Sequence, residues 1–146
     1  MIEKDTFEPF IYKLKSCKLR PTRQRLLICK ILFDNKNTFH FTVEELNKIV
    51  KKNTHLKIST ATLYNTVNVF KKHGYLKEII VSGNKKYFDT NISNHHHFYD
   101  EHRKDLTDVD INEVIISKVP KTPKGKKIKS MELLITTTDD HQNQKN

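Results

Sequence analysis

Along the first 74 residues, apolar positions recur at helical spacing in separate stretches; beyond them they form short runs. In FEPFIYKLKSC (7–17), Phe7, Phe10, Ile11 and Leu14 fall on one face, which predicts a short amphipathic helix. In LRPTRQRLLICKILFDNK, Pro21 suits a first helical turn, and Leu26, Leu27, Cys29, Ile31 and Leu32 form an inward stripe. FHFTVEELNKIVKK carries Thr42 three residues before Glu45, the spacing of a capping box, with Val43, Leu46, Ile49 and Val50 facing inward. ISTATLYNTVNVFKKHGYL predicts a longer helix, capped by Ser59, apolar at Ala61, Leu63, Val67 and Phe70, and stopped at Gly74. KEIIV and KKYFD then flank Ser82-Gly83-Asn84, a hairpin pattern.

Three helices, a recognition-length helix and a hairpin are the order of a winged helix-turn-helix, so the expected fold class is α+β. The recognition helix would offer Thr60, Thr62, Tyr64, Asn65 and Asn68 to a major groove. Lys85 and Lys86 on the wing, with Arg20, Arg23 and Arg25, would meet phosphates. The bland alternative is a set of solvated helix faces.

After about residue 90 the pattern changes. HHHFYDE, KDLTDVD and IKSMELLITTT read as short strands, INEVIISKV as a short helix, and PKTPKGKK as a lysine-rich turn region. These make a small α/β module, thin on its own and expected to need a partner. The expected division is a winged-helix domain over 1–88, a hinge at 89–94, an α/β dimerisation and effector-sensing domain over 95–138, and a disordered polar tail over 139–146.

Charge sharpens this division. Residues 1–85 hold 17 Lys/Arg against 7 Asp/Glu, a balance of +10, while residues 86–146 hold 10 against 10. A basic half joined to a neutral half suggests nucleic-acid binding coupled to another task. The alternative is lysines that merely keep the protein soluble. No apolar run reaches the roughly 18 residues of a membrane span, and the start has no signal-peptide pattern. Cys17 and Cys29 form no CxxC pair; a reducing cytoplasm is the expected setting, with Cys29 a core residue. Three glycines and no phosphate-binding loop give a nucleotide enzyme little support.

NHHHFYDEH (94–102) raises the question of metal. On a strand, His95 and His97 share a face while His96 points the other way. Two imidazoles need further ligands, and Asp89, Asp108 and His40 are the candidates. The competing reading is a polar strand of titrating histidines. A metal-dependent hydrolase built on the same cluster would lack an evident general base and leave the basic first half unexplained. A metal-buffering protein is a further alternative, and would bind metal without salt-dependent DNA binding.

LRPTRQR, HFTVEEL, ISTATLYNTVNVF…GYL and GNKKYFD…HHHF, in this order from about residue 19 to 110, together resemble the ferric uptake regulator (Fur) family. The Asn of LYNT, YFDTNISNHHHFY and VPKTPKGKKI are similar, more narrowly, to its iron response regulator (Irr) branch, tied to haem-dependent control of iron genes. The resemblance implies a cytoplasmic, homodimeric, DNA-binding repressor of iron homeostasis genes that reads a pseudo-palindromic operator in double-stranded DNA, with no catalytic or membrane role. It implies a hinge metal site of His40, Asp89, His95, His97 and, with less certain alignment, Asp108, holding Fe2+, Mn2+ or Zn2+. It also implies a recognition-helix role for Tyr64 and a possible haem site at His95, His96 and His97. Members that ignore haem are the alternative within the family. Asp100 and Arg103 stand where many members carry a CxxC pair, so no structural zinc held by four cysteines is expected. Of the family's second, peripheral site only His96 remains near a ligand position. Cys17 precedes Lys18 and not a proline, so the Cys-Pro haem motif of some relatives is missing.

Overall fold

The computed structural model describes residues 7–141. They divide into two compact units, one of residues up to 80 with 84–92, the other of 81–83 with residues from 93 on. The first unit runs α1 (Glu8–Ser16), α2 (Arg23–Phe33), β1 (His40–Phe41), α3 (Val43–Asn53), α4 (Thr60–Lys72), β2 (Lys77–Ile80) and β3 (Lys86–Asp89). The second holds β4 (His96–Asp100), β5 (Asp105–Val109) and β6 (Leu134–Thr137).

Helix ends in the first unit follow local hydrogen-bond chemistry. Thr42 Oγ1 accepts the Glu45 amide while the Glu45 carboxylate accepts the Thr42 amide, so the capping box forms as expected. Ser59 Oγ accepts from the amide of Thr62 at the start of α4. At its other end the Tyr75 amide donates to the Phe70 carbonyl and the Gly74 amide to Lys71. That pair of bonds needs a left-handed residue between them, which Gly74 supplies at φ 79°. Pro21 falls outside the helix: Thr22 is the N-cap of α2, its hydroxyl accepting the Arg25 amide.

The core lies in this unit, built from Phe10, Leu14, Ile28, Cys29, Leu32, Leu46, Val50, Leu63, Val67 and Phe70, with Phe41 stacked on Phe88 at 5.7 Å. On α2 the fully buried positions are Ile28, Cys29 and Leu32; Leu27 is only half-buried. Ala61 is exposed, and Thr66 takes an inward place on α4, its hydroxyl donating to the Thr62 carbonyl at 2.7 Å.

Sheet order is β1-β3-β2, antiparallel throughout, so the wing hairpin gains a third strand ahead of α3. Gly83 (φ 76°) and Asn84 (φ 60°) take left-handed conformations in the 3-10 turn Ser82–Asn84 between β2 and β3.

In the second unit β4 is central, antiparallel to β5 and parallel to β6. Its buried apolar side chains are few, Tyr99 and Val109 among them, while Ile115, Ile116, Val119, Ile128, Met131, Leu133 and Leu134 stay exposed. The helix expected over INEVIISKV is absent: Ile111–Glu113 make one 3-10 turn and the chain continues without regular structure. Five β-branched residues in that run give poor helix propensity and no packed surface compensates here. The expected tail lies, from residue 142, outside the described residues.

Candidate metal centre and nucleic-acid face

In the first unit β1 exists because His40 and Phe41 pair with Asp89 and Phe88 of β3. That register sets the His40 Nε2 3.2 Å from Asp89 Oδ2. Asp89 is fully buried, and its Oδ1 accepts the Asn91 amide at 2.8 Å. The carboxylate is thereby held by backbone and presents its second oxygen to the imidazole.

In the second unit, His95 just ahead of β4 and His97 within it lie with ring centroids 4.4 Å apart. Register sets His97 opposite Asp108 of β5. Asp108 Oδ1 lies 3.2 Å from His95 Nε2 and 3.3 Å from His97 Nε2. The Nδ1 of His95 is 2.7 Å from the carbonyl of Ser93. A carbonyl only accepts, so Nδ1 donates to it, which turns Nε2 toward the cluster.

Each of these nitrogen–oxygen spacings accommodates either a shared proton or a cation between the two atoms. Imidazole and carboxylate ligands at about 2.0–2.2 Å from one ion have donor atoms about 2.8–3.1 Å apart at octahedral angles and about 3.3–3.6 Å apart at tetrahedral ones. Spacings of 3.2 Å in the first unit and 3.2 and 3.3 Å in the second lie within the span of such edges. Imidazole and carboxylate donors of this kind suit Fe2+, Mn2+ or Zn2+.

His96 does something else. It is buried, and its Nδ1 accepts the Leu133 amide at 2.8 Å, fastening the start of β6 to β4. Two grooves of about 740 Å3 are lined by α2 and α3 residues such as Leu27, Asn53 and Thr54, and neither by a cluster histidine.

On α4, Leu63, Thr66, Val67 and Phe70 are buried, which turns Thr60, Tyr64, Asn65 and Asn68 to solvent. Thr62 is half-buried, its hydroxyl 2.9 Å from that of Ser59 in the helix cap. Arg20, Arg23 and Lys85 are exposed; Arg25 is half-buried and donates to the Arg20 carbonyl. One contact on this face has no signal in the sequence. Glu44, in the first turn of α3, accepts the Tyr64 hydroxyl at 3.3 Å, and its charge raises the phenol pKa. A glutamate at that helical position has ordinary first-turn chemistry, so only the packing of α3 on α4 reveals the contact.

The family model described as "Ferric uptake regulator family" matches residues 16–136. The chain is 33% identical over 90 residues to the peroxide-responsive repressor PerR of Staphylococcus aureus, covering 62% of this chain and 59% of that protein. It thus spans under two thirds of the length of the curated relatives it matches. The fold is similar to the ferric uptake regulator of Vibrio cholerae (TM-score 0.66, 19% identity, 89% of this chain and 99% of that one). It is similar too to the Pseudomonas aeruginosa ferric uptake regulator solved with manganese (TM-score 0.65, 16% identity, 95% and 98% covered).

Proposed function

The chain belongs to the ferric uptake regulator family, whose members are transcription regulators and not enzymes, and from that premise we propose a homodimeric, metal-controlled repressor of iron homeostasis genes. The observation that carries the metal part is the set of ligand-edge spacings around Asp89 and Asp108. In this reading His40, Asp89, His95, His97 and Asp108 share one Fe2+, Mn2+ or Zn2+. Asp89 and His95 are only six positions apart in the chain, so one ion held by both sets would couple the DNA-reading unit to the second unit. His40, His95 and His97 would hold the ion through Nε2 and Asp89 and Asp108 through a carboxylate oxygen, and it would balance the two buried or half-exposed negative charges.

The DNA part rests on Thr60, Tyr64, Asn65 and Asn68 facing solvent on α4, with Arg20, Arg23 and the wing lysines also exposed. Thr62, engaged in the cap, and Arg25, holding the Arg20 carbonyl, would position this surface. The apolar side chains exposed on the second unit support dimerisation through it, which gives a two-fold protein for a pseudo-palindromic operator. No described helix is long and apolar enough to cross a membrane, and a cytoplasmic setting fits a DNA-binding role.

Haem is the second effector, carried by the likeness to the iron response regulator branch. Its support is imidazole chemistry at His95 and His97; His96 is spent on the Leu133 amide. Titration of an iron-gene promoter fragment with apo, Fe2+-, Mn2+-, Zn2+- and haem-loaded protein separates the two. A metal-dependent shift in affinity supports the metal reading, a shift with haem alone replaces it, and none at all rejects effector control. Tyr64→Ala should cost about 1–3 kcal/mol on that fragment if the ring meets a base edge. An equal loss on random duplex would demote Tyr64 to a backbone contact.

A further inference from the structure

Charge in the second unit is sorted along the chain. Between Glu113 and Glu132 there is no acid, yet Lys118, Lys121, Lys124, Lys126, Lys127 and Lys129 all fall there. The other described residues from 93 onward hold nine carboxylates (Asp100, Glu101, Asp105, Asp108, Asp110, Glu113, Glu132, Asp139, Asp140) against Arg103 and Lys104. A surface that needs charge only for solubility intersperses the two signs. Here they are separated, and none of the six lysines forms an ion pair among the described residues, although His102–Asp139 and Arg103–Asp105 pairs form in the same unit.

The backbone keeps these lysines outside. Residues 114–133 carry no helix or strand, and all six lysines are exposed. Pro120 and Pro123 fix φ and lack an amide donor, which disfavours a helix through this stretch. Pro123–Lys126 closes one turn, the Lys126 amide donating to the Pro123 carbonyl at 3.0 Å with Gly125 at φ 74°. Lys124, Lys126 and Lys127 stand at and beside its tip.

We infer that residues 118–129 form a second polyanion-binding arm that contacts the DNA phosphate backbone without reading sequence. The inference rests on the proposed DNA-binding function, which supplies the partner; six exposed lysines interrupted by only two exposed apolar side chains, Val119 and Ile128, suit a duplex backbone. Lysine is a point charge on a flexible stem, fit for phosphates and poor at fixed base recognition. The arm thus adds affinity to operator and random DNA alike and leaves the specificity ratio unchanged.

The test uses the full chain and its variant K121Q/K124Q/K126Q/K127Q with an iron-gene promoter fragment and a mixed-sequence 40-base-pair duplex, across a salt series. The variant should keep the wild-type circular dichroism and melting temperature, since these side chains are exposed. Its plot of log K against log salt should be shallower by at least about 1.8, the worth of two phosphate contacts, on both duplexes. Unchanged slopes overturn the arm while leaving the proposed DNA binding intact, as does a loss on the promoter fragment alone. Wild-type protein that binds neither duplex overturns the proposed DNA binding itself. Retention on anionic lipid vesicles that the variant loses, with its DNA slopes unchanged, reassigns the arm to a membrane surface.

Discussion

Asp100 ends β4 with its Oδ1 accepting two backbone amides, His102 and Arg103, each at 2.9 Å. The Arg103 amide is the larger influence that holds this carboxyl below the usual range. A lowered folded-state pKa means stability present above the unfolded value, about 3.9, and lost as pH falls through the folded one. Asp100→Ala should therefore lower the melting temperature near neutral pH, and the gap from wild type should close in melts below pH 4. A gap unchanged by acid would rule out the charge as its source. Burial pushes the Cys29 thiol up to about 12, so it stays neutral and shielded in the folded chain. Iodoacetamide at pH 8 should leave Cys29 unmodified until denaturant is added; rapid native labelling would contradict the packed site. A neutral folded thiol also predicts stability declining as pH rises above about 8.5, where the unfolded thiol ionises. That Cys29 is a core residue was legible from its place in an apolar stripe. The turn-holding role of Asp100 was not, because side-chain bonds to local amides leave no periodic signature.

Among the elements, α3 depends on its capping box. Thr42→Ala should cost about 1 kcal/mol in chemical denaturation, within about 0.5–2, and Thr42→Ser should recover most of it. Equal stability of the alanine variant would remove the cap from the account. The Thr42–Glu45 spacing and the Gly74 stop were readable because capping chemistry is local. β1 was not: two residues have no period, and the strand exists only through pairing with Asp89 and Phe88 far along the chain. His96 divides similarly. Alternation predicted that it faces away from His95 and His97, but not that its ring accepts the Leu133 amide 37 residues on. His96→Ala should destabilise the chain by about 1–3 kcal/mol by leaving that amide without its acceptor. His97→Ala, outside that bond, should change effector response with the fold kept.

At the scale of the whole molecule, the order of elements and the basic first half point to a winged helix from the sequence alone. Helix patterning and net charge survive in a single sequence. The sparse packing of residues 114–133 does not show there, since β-branched apolar runs are shared by helices, strands and irregular chain alike. Asp89, Asp108 and His40 could be named from the sequence as candidate ligands beside His95 and His97, and the family resemblance pointed to the same set, but which of them pair was not legible because ligand sets assembled from distant residues have no local spacing. The claim that one ion spans both sets is tested by titrating Mn2+ into wild type and His97→Ala while following promoter-fragment binding by fluorescence anisotropy. The account predicts that Mn2+ shifts wild-type affinity at least tenfold and leaves His97→Ala unmoved, with both binding random duplex alike. A His97→Ala protein that responds to Mn2+ as wild type does would contradict it.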